Sequence, residues 1–199
     1  MSNDIPGYNY GDREVARSPL SDEELEQLKS GAGFTEEDVH HLQMAGEVLR
    51  DQTEEIVRRW RSDIIAHIPH LAKHSRALDG GLLPDYLAKS NKRFEQWILD
   101  TCFRPYDRTW LDYQHEIGLR HTVARKNQVD RVSSTPEVPF RDVLSFIPVI
   151  NETMKKYLAK KDHPAEDVEK MYRSWSKSTL LQMAIWTKAY ESNESTKNV

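Results

Sequence analysis

The amino-acid sequence predicts an all-α fold, and three observations support that class. Apolar residues recur at spacings of three and four along most of the 199-residue chain, which is the pattern of helices that bury one face. The alternation typical of half-buried strands is essentially absent, and no repeat occurs at the periods of solenoid proteins. We therefore expect seven or eight helices sharing one core, packed either around a buried pocket or as a bundle without a ligand.

The composition argues against several classes of function. The net charge is only −4 and the mean hydropathy is −0.75, so no basic excess indicates a nucleic-acid partner. No apolar stretch approaches the ~20 residues that cross a bilayer, and the first residues lack an apolar run of the signal-peptide type. We therefore expect a cytoplasmic protein with no membrane partner. The single cysteine, Cys102, excludes an intramolecular disulfide and every multi-cysteine metal site.

The first third of the chain predicts an arm followed by two helices. Residues 1–20 are rich in proline, glycine and polar side chains, which favours an extended arm. Ser21 and Glu24 have the spacing of a helix-capping box, and Gly31 is the expected end of that short helix. Thr35 begins a longer helix, whose apolar positions keep helical spacing to about residue 66.

The rest of the chain predicts four more helices. Pro69 interrupts the helical pattern, and Gly80 and Gly81 are the centre of a loop. The helices are expected at residues 85–102, 107–127, 140–160 and 164–190. Residues 191–199 are polar and predict a disordered tail, so the folded domain should span residues 21–190.

Eight histidines are the first candidates for metal chemistry, and their spacing separates them. His115 and His121 are six residues apart rather than the four of a zinc-protease helix, so they cannot hold one ion together. A second group has helical spacing but contains a proline, which breaks the helix that would align it: His67, His70 and His74. A transition-metal site at that group therefore remains only a minor alternative.

The remaining candidate is His121, which shares an apolar helical face with Trp110, Gln114 and Ile117. A histidine in that position is either a hydrogen-bonded core residue or the axial ligand of a haem, because helical proteins of this size can hold a macrocycle by one histidine. No phosphate-binding loop, nucleophile elbow or catalytic triad occurs in the chain. The residues by themselves leave both interpretations of His121 open.

Four segments resemble the protoglobins, which are single-domain relatives of the globin-coupled sensor domains. They are DIPGYNYG at 4–11, RFEQWILDT at 93–101, WLDYQHEIGLRH at 110–121 and EKMYRSW at 169–175. The resemblance extends over about residues 4–190. It implies a globin-like helical sandwich around a haem pocket, with an extra N-terminal helix and an N-terminal arm. It also implies haem b as the cofactor and His121 as the proximal ligand of its iron.

The resemblance assigns further cofactor-binding positions. Phe94 matches the family's distal aromatic residue, Trp60 matches the tryptophan of its distal pair, and Phe146 matches a ring that lines the haem. Arg93 is the expected partner of a haem propionate, since a guanidinium suits a carboxylate. The distal tyrosine of the family is replaced by Arg61, which either donates to a bound ligand or points to solvent. The segments LAKH at 71–74 and FIPVIN at 146–151 also depart from the family pattern.

The function implied is reversible binding of a diatomic gas, O2, CO or NO, by a carrier, scavenger or sensor that forms a homodimer through its late helices. Two alternatives stay open. One is a haem enzyme that uses a polar distal side, with Arg61, His70 or His74 acting on the ligand or a histidine serving as sixth ligand. The other is a haem-free interaction module, which the altered distal residues motivate.

Overall fold

The computed structural model describes residues 5–197, with side chains up to residue 191. Eight α-helices and no β-strand occur in that part of the chain, so the predicted all-α class is confirmed. The helices are α1 (Asp22–Gly31), α2 (Glu36–Leu49), α3 (Thr53–Arg58), α4 (Pro69–Ala72), α5 (Pro84–Phe103), α6 (Arg108–Leu119), α7 (Phe140–Leu158) and α8 (Ala165–Lys197). A π-helical turn, Arg59–Ile64, and two short 3₁₀ turns, Ile65–His67 and Lys73–Ser75, flank α4.

Helix α1 begins and ends where the sequence predicts. The Ser21 side chain accepts from the Glu24 N–H, and the Glu24 carboxylate accepts from the Ser21 N–H, which completes a capping box. Gly31 is the last helical residue, and the reversal occurs two residues later at Gly33, whose φ is +58°. The Phe34 N–H then donates to the Lys29 carbonyl, so Gly33 supplies the left-handed turn of a Schellman motif.

The long helix expected from 35 to about 66 is broken into several pieces. Helix α2 ends at Leu49, and α3 begins at Thr53 after a short turn. In that turn the Gln52 side chain donates to the carbonyls of Val48 and Tyr157. Leu49 before the break and Ile56 after it are both fully buried, so apolar spacing alone could not reveal the interruption.

The expected helix 107–127 is also shorter than predicted. Helix α6 ends at Leu119, and residues 120–131 form a series of turns. The Thr122 hydroxyl donates to the Leu119 carbonyl and accepts from the Ala124 N–H, so it replaces helical hydrogen bonds just after the end. The His121 carbonyl accepts from the Val138 N–H, which ties this turn to the segment before α7. His121 therefore lies beyond the helix, not within it.

The core is built mainly around α8. This helix packs against α2, α6 and α7, while α5 packs against α2 and α3. Trp110, Met171 and Trp175 are fully buried between these elements. Helices α6 and α8 approach closely at Gly118, where an added Cβ would lie 2.9 Å from the Cβ of Ala189. The close approach requires glycine at that position, since a larger residue would separate the helices.

The described part of the N-terminal arm contains neither helix nor strand, and arginines of the helices hold it through its backbone. Arg93 on α5 donates to the Pro6 carbonyl at 2.7 Å, and Arg120 donates to the Gly7 carbonyl at 2.7 Å. Arg108 on α6 donates to the carbonyls of Ser18 and Leu20. Because backbone carbonyls are the acceptors, the arm is fixed along much of its length.

The C-terminal end differs from the expectation of a disordered tail from residue 191. The backbone of α8 stays helical to Lys197, and residues 198–199 lie outside the described part of the chain. None of the described helices combines the length and the apolar character needed to cross a membrane.

Candidate functional site

A large cavity lies between α5, α6, α7 and α8, beside the turns that flank α4. The space free of atoms amounts to about 1410 Å³ when its opening to solvent is counted. Its apolar lining comes from Ile65, Leu71, Phe94, Trp97, Ile117, Val143, Phe146, Ile147, Ile150, Met183 and Trp186. Its polar lining includes Arg61, His74, Ser75, Tyr86, Ser90, Arg93, Arg120, His121, Lys126, Asp130 and Asp142. A mostly apolar wall with a few polar groups is the usual character of a cofactor site.

His121 enters this cavity with one ring nitrogen already committed. Its Nδ1 lies 2.8 Å from the Ile117 carbonyl oxygen, one turn earlier at the end of α6. A carbonyl oxygen can only accept, so Nδ1 carries the proton and Nε2 keeps its lone pair. Within the described residues no hydrogen bond involves Nε2. The imidazole also stacks on Trp186, with ring centroids 5.1 Å apart, which fixes its orientation.

Burial keeps His121 uncharged. Removal from solvent lowers the pKa of the imidazole from 6.5 to about 4, against the raising effect of the Ile117 hydrogen bond. The positive charges of Arg61 and Lys126 make smaller contributions to this lowering. The neutral imidazole that results is the form that binds a metal ion.

The aromatic side chains near the cavity form two layers. Phe94 from α5 and Phe146 from α7 line the cavity directly. Trp60, a further residue expected at the cofactor, is not among the residues that line the cavity. Its ring is fully buried against Phe94, with centroids 4.9 Å apart, and its Nε1 donates to the Thr153 hydroxyl at 2.6 Å. The π-helical turn that carries Trp60 aims it into the core, so it supports Phe94 from behind.

Arg61, the neighbour of Trp60, points into the protein and lines the cavity. Its Nη1 donates to the Ser75 hydroxyl at 3.2 Å and its Nη2 to the Ser90 hydroxyl at 2.9 Å. Its Nε is buried without a partner, and the guanidinium carbon lies 5.4 Å from the centre of the Phe94 ring. No carboxylate forms an ion pair with it among the described residues. The guanidinium of Arg61 therefore faces the cavity.

The other cations of the cavity differ in whether a carboxylate pairs with them. Arg93 forms a bidentate pair with Asp130, so the expected propionate partner already has a carboxylate. Lys126 has no ion pair within the described residues, and its Nζ donates to the Thr135 carbonyl at 2.8 Å. Burial, together with the smaller effect of the Arg61 charge, lowers the pKa of Lys126 to about 8. The cavity therefore carries an excess of positive charge.

The histidines of the segment 67–74 do not form a metal site. His67 and His70 are exposed, whereas His74 is buried. His74 has both ring nitrogens engaged, with Nδ1 2.8 Å from the Thr135 hydroxyl and Nε2 3.3 Å from the Asp142 carboxylate. Across residues 5–191 no group of three or more histidine, cysteine or acidic side chains is arranged to hold an ion.

The residues of the cavity fit a haem. One neutral imidazole presents a free Nε2, apolar and aromatic side chains form the walls, and Lys126 offers positive charge that no carboxylate of the described residues pairs with. A haem needs an axial nitrogen, an apolar enclosure for the macrocycle and cations for its two propionates. The backbone acceptor of His121 also matches the usual second contact of a metal-binding histidine.

Several residues that line the cavity were not predicted from the sequence. Ile117 and Trp186 have the spacing of ordinary core residues, and only their common contact with His121 distinguishes them. Lys126 belongs to a short basic segment, ARK at 124–126, that is typical of a solvated surface. Ser75 and Ser90 carry no signal of their own, because their role depends on Arg61, which is distant from both in sequence.

Comparison with known proteins agrees with this site. The sequence model of the Protoglobin family matches residues 21–196, nearly the whole chain, while a search of curated proteins gives no significant match. The all-helical architecture agrees with a globin-like fold, and the family implies haem binding. This chain belongs to the protoglobin family.

Proposed function

We propose that this protein binds haem b through His121 and reversibly holds a diatomic gas, O2, CO or NO, as a carrier, scavenger or sensor. The observation that carries the proposal is the state of His121. Its Nδ1–H is held by the Ile117 carbonyl, and its neutral Nε2 faces a large cavity. Family membership supports the same cofactor.

Each part of the cavity has a defined task in this proposal. The bound haem would supply the iron at which the gas binds. The Ile117 carbonyl orients the imidazole and increases its basicity, and the stacked Trp186 limits its rotation. Phe94 and Phe146 exclude water from the cavity, while Lys126 contributes positive charge for the propionates.

The test is the absorption spectrum of the purified chain loaded with haem, compared with that of His121→Ala, in ferric, ferrous and ferrous-CO forms. We expect the wild type to show a Soret band that shifts with CO. The His121→Ala protein should lose the histidine-ligated spectrum, and added imidazole should restore it, since the free base would occupy the position of the missing side chain.

The matched control is His115→Ala, which removes a buried histidine of α6 that does not line the cavity. It should retain the wild-type spectrum in all three forms. If both variants keep the Soret band, a residue other than these two histidines holds the iron. A wild-type chain without a Soret band after loading would leave only the haem-free module.

We also propose that the protein forms a homodimer through α7 and α8. Leu144 on α7 and Leu180 on α8 are 43% and 55% exposed, although both are large apolar residues. They line one surface groove together with Pro148 and Tyr172. An apolar patch of this kind on two adjacent helices favours self-association, and the family resemblance gives the second copy as its occupant.

Sedimentation velocity tests the dimer. Leu180→Glu should shift the protein from dimer to monomer, because a charge would be buried in the apolar interface. Leu78→Glu is the control, since Leu78 is 71% exposed but lies in the loop before α5. A wild-type protein that sediments as a monomer at micromolar concentration would refute this proposal.

A further inference from the structure

We propose that Arg61, Ser75 and Ser90 form a binding site for a small monovalent anion inside the cavity. The proposal deepens the proposed function, because it names the chemical class of a ligand that would bind near His121 in addition to, or in place of, a neutral gas. It rests on three features of the described residues: an uncompensated cation, two hydroxyl donors and their common exposure to one cavity.

The first feature is the charge of Arg61. Burial lowers the pKa of its guanidinium, but arginine is not deprotonated in proteins, so the group keeps its charge at neutral pH. The charge of Arg93 lowers the pKa of Arg61 further, because the two cations repel each other. A cation inside a protein without an anionic partner is unfavourable, which makes the position attractive to an anion that can enter.

The second feature is the supply of hydrogen-bond donors. A guanidinium has five N–H donors, and two of those of Arg61 are used on Ser75 and Ser90, while its Nε has no partner. Each serine hydroxyl accepts from Arg61 and therefore keeps its own proton for a further bond. The site presents several donors around one positive charge, which is the arrangement that binds an anion rather than a neutral gas.

The third feature is access. Arg61, Ser75 and Ser90 all line the cavity that His121 enters. The acids of the same cavity are already paired: Asp130 with Arg93, and Asp142 with His74. Asp100 is also committed, since it accepts from Tyr8, Gln96 and Arg104. Among the described residues, no carboxylate therefore competes with an entering anion for binding to Arg61.

The first experiment is azide titration of the ferric haem-loaded full chain, followed by absorbance, with imidazole as a neutral probe. Arg61→Met should weaken azide binding about tenfold to a hundredfold, which is the range for a charge-assisted hydrogen bond, and leave imidazole binding within about twofold. Arg61→Lys should retain most of the azide affinity, since it keeps the charge. Ser90→Ala should weaken azide binding about threefold to tenfold by removing one hydroxyl donor.

The matched control is Arg59→Met, which removes an arginine from the same π-helical turn. Arg59 is exposed and paired with Asp63, so its loss should leave azide affinity unchanged within about twofold. Equal azide affinity in wild type and Arg61→Met would overturn the proposal. Faster haem loss in Arg61→Met with unchanged azide affinity would also overturn it, and would assign Arg61 to a propionate instead.

A second experiment separates this proposal from the haem proposal. The haem-free chain is unfolded thermally in sodium azide and in sodium chloride at equal ionic strength. Azide should raise the midpoint of the wild type more than that of Arg61→Met, because a ligand of the native state stabilises it. A chain that fails to bind haem but shows this difference would refute the haem site alone. No difference in either experiment would overturn the anion site.

Discussion

The cavity has two functional regions, and burial has opposite consequences in them. In the turn after α6, burial removes the charge of His121, whose pKa falls to about 4. In the π-helical turn after α3, burial also lowers the pKa of the Arg61 guanidinium, but arginine is not deprotonated in proteins and the group stays charged. The Ile117 carbonyl holds the neutral imidazole of His121 through its Nδ1–H, whereas no carboxylate of the described residues pairs with Arg61. The comparison shows that the same desolvation yields a neutral ligand from one residue type and an uncompensated cation from another.

The largest expected effect is the pH dependence of stability that arises from His121. Between pH 6.5 and pH 4, the unfolded haem-free chain binds a proton at His121 that the native chain does not bind. Stability should therefore fall as pH decreases through this window, by up to about 3 kcal/mol from this one group, and the contribution should become constant below pH 4. Urea unfolding of the haem-free protein at several pH values measures the effect.

The comparison variant for the pH series is His121→Phe, which fills the same space without a titratable group. Its stability should decrease less between pH 6.5 and pH 4 than that of the wild type. His41→Phe would control for the loss of another buried histidine. An identical acid dependence of wild type and His121→Phe would mean that the native imidazole is protonated, which would contradict the assignment of a neutral ligand.

A smaller effect tests how tightly packing fixes the histidine. Gly118→Ala would place a Cβ 2.9 Å from the Cβ of Ala189 and 3.4 Å from the backbone of Trp186, which stacks on His121. The overlap should cost about 1–3 kcal/mol, only partly offset by the better helix propensity of alanine. We expect a lower urea midpoint and a shifted Soret band in the haem-loaded variant.

Gly31→Ala is the control for the helix propensity, because a Cβ at Gly31 meets no atom within 4 Å. It should leave the spectrum unchanged and raise stability slightly, by less than about 1 kcal/mol. A Gly118→Ala protein with wild-type stability would show that α6 and α8 can separate at no cost.

The smallest expected effect concerns the Arg61 region. His74 is the buried histidine nearest to Arg61 in sequence. Both of its ring nitrogens are engaged, by Thr135 and Asp142, so it is not available as a sixth iron ligand. Replacing it in His74→Ala should leave the coordination of ferric haem unchanged in electron paramagnetic resonance. A change from six to five ligands in this variant would refute that assignment and restore the distal-histidine alternative.

The sequence by itself determined the helical class, most helix starts and the ligand candidate. Helix class follows from the period of apolar residues, and the capping box of Ser21 and Glu24 is a local pattern that local chemistry satisfies. His121 could be selected because its residue type and its apolar face are visible in the chain, and the resemblance to protoglobins supplied its role. These features depend on neighbours within one or two helical turns.

Only the tertiary structure decided where helices break and which side chains reach the cavity. The Gln52 side chain donates to the Tyr157 carbonyl, and Arg61 donates to the hydroxyls of Ser75 and Ser90. All three partners are remote in sequence or lie across a turn. Trp60, expected at the cofactor, is carried by a π-helical turn and packs against Phe94 in the core. Such outcomes depend on contacts between distant segments, because the free energy of those contacts outweighs local conformational preference. The contacts produce no periodic pattern in the sequence.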